Sequence, residues 1–277
     1  MEFSDELARI HELFDTEDYT EAAGVLGALL PRLAEALGEE HEDVLHARVV
    51  LAQAHNSANE PERALALGQR ALSDIEAHLG ADHPLRARAQ LVIARGLVQL
   101  NRIDQAEEWY RRAAVDEPEA MVDLGLLRYQ RGDRLEAAVW WRRAAGTGND
   151  RAMSNLGYLH RQEGSPGRAE AWYRRAANRG NPEAMNSLGC LLFEEGEAEE
   201  AGSWFRRAAH RGNVSAMVNL GLLHWHTDDP DEAERWLRRA ALAGDTHAMH
   251  ELARYYRDTG DADRAEEWSR RAAEADH

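Results

Sequence analysis

Histidine, cysteine and arginine are the side chains of this chain with most chemistry to offer, and their spacing decides which chemistry. His247 and His250 stand at i, i+3, a separation at which two imidazoles on one helix could share a metal ion with a third ligand such as His226. His224 and His226, two residues apart, do not face one way on a helix. No second cysteine and no ligand-spaced carboxylates complete a set, so no metal site is expected. Cys190 is the only cysteine, and no general base lies near it in sequence; a buried or surface-lining thiol is the simpler reading than a nucleophile. It excludes an intrachain disulfide and fits a reducing compartment. Phosphate-loop, nucleophile-elbow and zinc signatures are missing. The chain is therefore read as no enzyme and as needing no cofactor. What remains are aromatic and arginine side chains, the types that anchor protein partners.

Charge narrows the partners further. The 277 residues carry 33 basic and 50 acidic side chains, a net charge of −17. Residues 1–100 hold 18 acidic side chains against 8 arginines, and the remainder holds 32 against 25. Neither part offers the basic footprint that phosphates demand, so nucleic acid and anionic membranes are excluded as partners. No apolar run approaches the length of a membrane span. The opening Met1-Glu2-Phe3-Ser4-Asp5 has no basic region followed by an apolar stretch, so no export signal and a cytoplasmic location are expected. All basic residues are arginine, a bias attributed to a GC-rich bacterial, actinobacterial, source.

The elements that must position these side chains come from an internal repeat. Ala-Met recurs at 120–121, 152–153, 184–185, 216–217 and 248–249, a period of 32 residues. Leu-Gly follows at 124–125, 156–157, 188–189 and 220–221, with Leu252-Ala253 in the fifth copy. Tryptophan falls at 109, 140, 172, 204, 236 and 268, each closely followed by Arg-Arg-Ala-Ala. Each unit reads as two helices. Ala152, Met153, Leu156 and Gly157 share one face of the first, and Ala169, Trp172, Tyr173, Ala176 and Ala177 share one face of the second. Asn181-Pro182 is a helix start, with Asn149, Asn213 and Asp245 in the equivalent capping place. Gly132, Gly164, Gly196 and Gly260 mark the turns between paired helices. The methionine and tryptophan stripes are read as core; Trp141 and Trp225 fall outside the tryptophan period, and Trp225 is the better candidate for an exposed anchor. In the first hundred residues the period is 42: Leu37-Gly38-Glu39-Glu40-His41 returns as Leu79-Gly80-Ala81-Asp82-His83.

The short pattern resembles the tetratricopeptide repeat, and its Ala-Met…Leu-Gly…Ala-x-x-Trp-Tyr form is similar to the Sel-like subclass, although a period of 32 is short for both. The longer pattern resembles the tetratricopeptide repeats of kinesin light chains. The resemblance implies an all-α fold, a right-handed α-solenoid of about eight helix-turn-helix repeats. Three long repeats would occupy 1–115 and five 32-residue repeats 116–277, joined in one continuous superhelix.

It also implies that first helices line a concave groove. The candidate groove residues are Tyr129, Tyr158, Arg161, Asn186, Phe193, Trp225, His226, His247, His250, Arg254 and Arg257 in the short repeats. In the long repeats Arg95 leads a set that includes His46, Gln53, Asn56, Arg88 and Gln99. A metal shared by His226 and His247 is set aside on this register, because eleven helical positions separate their heights by about 16 Å. An aromatic floor beside a cationic end suits a protein or peptide partner with an acidic or carboxylate-bearing segment. The expected role is a monomeric adaptor or scaffold, with a dimer as the alternative state. The rival readings are a peptide-sensing regulator acting through a partner and an accessory protein or enzyme of a bacterial biosynthetic pathway.

Overall fold

The computed structural model describes residues 4–227 and 229–275; Met1, Glu2 and Phe3 of the opening segment lie outside the described residues. Among the described residues the chain is sixteen α-helices without a strand, an all-α solenoid of paired helices. It divides into two compact units, residues 1–149 and 150–277. The N-terminal unit holds α1 (Ser4–Asp15), α2 (Tyr19–Leu37), α3 (Glu42–Ser57), α4 (Pro61–His78), α5 (Pro84–Gln99), α6 (Ile103–Ala113), α7 (Pro118–Gln130) and α8 (Arg134–Gly146). The C-terminal unit holds α9 (Asp150–Gln162), α10 (Pro166–Asn178), α11 (Pro182–Glu194), α12 (Ala198–His210), α13 (Val214–His226), α14 (Pro230–Leu242), α15 (Thr246–Asp258) and α16 (Ala262–Ala275). Within each unit every helix packs on the next, so odd-numbered helices are the first of each pair and even-numbered ones the second.

The ends of the helices follow from single residues. Asn181 Oδ1 accepts from the Ala184 N–H at 2.7 Å, Asn213 Oδ1 from Ala216 at 2.8 Å and Asp245 Oδ1 from Ala248 at 2.6 Å. Each satisfies an N–H that the first turn leaves without a partner. In the 42-residue repeats a histidine does this work: His41 Nδ1 accepts from the Asp43 N–H and His83 Nδ1 from the Leu85 N–H. That gives the Leu-Gly-x-x-His loop its physical meaning. Gly38 and Gly80 take φ of 96° and 91°, which L side chains rarely adopt, and the histidine three residues on starts the next helix.

The core is the repeat itself. Met121, Met153, Met185 and Met217 are buried and Met249 is half-buried. The glycine of each Leu-Gly pair admits a large side chain from the partner helix. A Cβ added to Gly125, Gly157, Gly189 or Gly221 would stand within 2.7 Å of Trp141, Tyr173, Phe205 or Leu237 respectively. Trp141 thereby loses its claim to be an outlier: it is 1% exposed, and its Nε1 donates to the Val122 carbonyl at 3.1 Å. One groove expectation in the long repeats fails, at Asn56, while Gln99 is exposed with its amide engaged. Asn56 is buried, with Nδ2 donating to the Val92 carbonyl at 2.8 Å, and Gln99 Nε2 donates to the Asn56 carbonyl at 2.8 Å. Both tie α3 to α5, because a backbone carbonyl buried between two helices needs a donor.

Candidate functional site

The first helices of the C-terminal unit touch one another through some of the side chains named from the sequence and through partners that were not. Arg161 on α9 pairs with Glu194 on α11 at 2.5 Å. Asn219 on α13 donates from Nδ2 to Asn186 Oδ1 on α11 at 2.9 Å and lies 3.4 Å from Cys190 Sγ. Trp225 on α13 meets Tyr255 on α15 edge to face at 5.5 Å, and Arg254 lies over its indole at 4.8 Å. The helices α9, α11, α13 and α15 therefore form one face, along which Tyr158 and Phe193 stand 46% and 47% exposed. Its last helix carries His247, His250, Arg254 and Arg257, all exposed.

Several candidates are more engaged than expected. Trp225 is half-buried rather than open. Arg254 is 3.4 Å from Glu251, and His226 is exposed but its Nδ1 is held by the Leu222 carbonyl at 2.7 Å. Arg257 makes no ion pair among the described residues; its Nε reaches only the Ala253 carbonyl, at 3.4 Å. Among the described residues, no histidines, cysteines and carboxylates gather as a metal site. Cys190 lines a pocket of about 260 Å³ with Phe193, Phe205, Asn219 and Leu222. Its burial pushes the thiol above the usual cysteine range, so it stands as a neutral lining group rather than a ready nucleophile.

Two of the candidates in the N-terminal unit, Arg95 and Tyr129, are engaged with its packing. Arg95 on α5 donates from Nε to Asp123 Oδ2 on α7 at 2.7 Å and lies 3.6 Å from Glu119, so its charge is already met. Tyr129 is half-buried against Trp141, with ring centroids 5.7 Å apart. Sequence reasoning missed the partners Asp123 and Asn219. They belong to one column, Asp123, Asn155, Ser187, Asn219 and Glu251, polar in every copy and set between Ala-Met and Leu-Gly.

Tetratricopeptide-repeat models match residues 44–85, 69–121, 122–182, 214–239 and 246–275, and the Sel1-repeat model matches 182–213. Together they run from residue 44 to residue 275 with a break at 240–245, and the chain belongs to the tetratricopeptide and Sel1-like repeat superfamily. No curated protein matches the sequence. Among solved structures, a chain of the APC/C hetero-tetramer Cut9-Hcn1 is similar with a TM-score of 0.58 and 16% identity over 98% of this chain. This chain spans about half of that one, 52%. PilF of Pseudomonas aeruginosa is similar with a TM-score of 0.57 and 20% identity, covering 70% of this chain and 89% of its own. Identities this low carry the fold alone. The fold is in general a non-enzymatic module for protein–protein interaction, and no described helix is long and apolar enough to cross a membrane.

Proposed function

We propose that the chain is an adaptor that holds an extended or helical segment of a partner protein along the face of α9, α11, α13 and α15. Acidic or carboxylate-bearing residues of the segment lie against His247, His250, Arg254 and Arg257. The observation that carries this reading is the pair Tyr158 and Phe193. Both are large, nearly half exposed and set on adjacent first helices, in an array that buries most of its other aromatic residues. Rigid aromatic groups beside arginine are the residue types on which interface energy concentrates. Asn186 and Asn219, already paired with each other, leave amide groups for a partner's backbone.

Photo-crosslinking tests the reading. A photoreactive residue placed at Phe193 should capture a defined partner in cells, and one placed at Leu242, 65% exposed on the second helix α14, should not. Capture of the same partner at both positions, or at Leu242 alone, would move the binding surface off the first helices.

A further inference from the structure

The N-terminal unit contains a second, more apolar feature that the aromatic and cationic face does not use. A cleft of about 580 Å³ opens between α1 and α3, with α2 as its floor. Leu7 and Phe14 line it from α1, Leu37 from α2 and Val50 from α3. Leu7 and Leu37 remain 44% and 42% exposed, while Ile10, Leu26 and Leu33 beneath them are buried, so the floor runs into the core. Apolar area left in water costs about 25 cal/mol per Å². A concave site of this size, mostly apolar with a few polar groups, has the form of a small-molecule site.

The polar groups select the ligand. His11 Nδ1 is taken by the Leu7 carbonyl at 2.7 Å. Burial first, and the Arg88 charge second, hold His46 below the usual histidine range, so it is neutral at pH 7. Gln53 is uncharged. The remaining polar group of the lining is Asp43, its side chain 69% exposed and 3.6 Å from His41. Among the described lining residues Asp43 supplies the one carboxylate, within a segment where acidic residues outnumber arginine 18 to 8.

We propose that this cleft binds a small cationic amphiphile, an aliphatic chain of roughly ten carbons lying between α1 and α3 with its ammonium group against Asp43. Calorimetric titration of the full chain with decylammonium, decanol and decanoate, each below its aggregation concentration, tests it. The expected result is saturable one-to-one binding of decylammonium, at least about tenfold tighter than decanoate. Asp43→Asn should remove most of the preference over decanol and leave decanol binding in place. Val50→Arg, which puts a cation on the wall, should abolish decylammonium binding with helical content unchanged; if that variant misfolds, Ala47→Leu, which fills the cleft, takes its place. Absence of saturable binding, equal binding of decanoate, or binding that survives both cleft variants would overturn the proposal.

Discussion

Glu17, Asn59 and Asn101 stand 42 residues apart in the turns between paired helices, and all three take a left-handed φ, between 56° and 59°. Asparagine tolerates that conformation; glutamate at the same place costs about 1 kcal/mol or more. Glu17→Gly is therefore expected to raise stability by roughly 1 kcal/mol, read as a higher denaturant midpoint; a lower midpoint would show that Glu17 makes a compensating contact. Cys190 gives a second prediction. Burial raises its thiol, so the thiolate is scarce at neutral pH. Iodoacetamide should react several-fold more slowly with the folded chain than with free cysteine at pH 8, and the rate should climb at higher pH than usual. A raised folded value stabilises the chain below the unfolded value, and that contribution is lost as pH rises through the folded one. At this scale the sequence was only partly legible. Tyr158 and Phe193 were named from the register that the family resemblance implies, at positions that vary between copies while the core repeats. Asp123 and Asn219 were missed because a search for apolar periodicity passes over a polar residue inside the stripe, and because a polar column reveals its partners only when neighbouring helices are in place.

Helices are where the sequence was most legible. Pro166, Pro182 and Pro230 each begin a helix, and Asn181, Asn213 and Asp245 each cap one, because these residues act on their own backbone. Glutamate and arginine four apart on the second helices, Glu108–Arg112, Glu170–Arg174 and Glu234–Arg238, have the spacing of helical ion pairs, but not all of them form. Pairs such as Glu108–Arg112 and Glu170–Arg174 form at 2.5 and 2.6 Å, but Glu234 instead accepts from the Tyr256 hydroxyl at 2.6 Å and faces Arg264 at 3.5 Å. The second arginine of each Arg-Arg-Ala-Ala lies over the tryptophan three residues before it in all six copies, from 4.1 Å for Arg207 on Trp204 to 5.7 Å for Arg143 on Trp140. Arg207→Ala should cost about 0.5–1 kcal/mol in a thermal melt through loss of that stacking; no change would assign the arginine to solvent. Glycine packing predicts more. A Cβ on Gly189 would lie 2.6 Å from the Phe205 ring, so Gly189→Ala should cost about 1–3 kcal/mol. Adding Phe205→Leu should return part of that loss, as the Gly221–Leu237 pair already uses leucine. Strict additivity of the two substitutions would contradict direct contact.

Over the whole molecule the charge is unevenly used. The net charge is −17, yet exposed arginines, Arg254 and Arg257, stand on α15. Partner binding there should weaken as salt rises from about 50 to 500 mM, because exposed pairs are screened beyond roughly a Debye length. The apolar cleft between α1 and α3 had no counterpart in the reading of the sequence. Leu7, Leu37 and Val50 look like ordinary stripe residues until the gap between helices is known. The most direct measurement of the central claim is the affinity of the crosslinked partner's segment for the wild-type chain and for an Arg254→Glu, Arg257→Glu variant of unchanged melting temperature. Binding along the first helices of the C-terminal unit predicts a loss of at least about tenfold, with a flatter salt dependence. Equal affinity and an equal salt slope would contradict it.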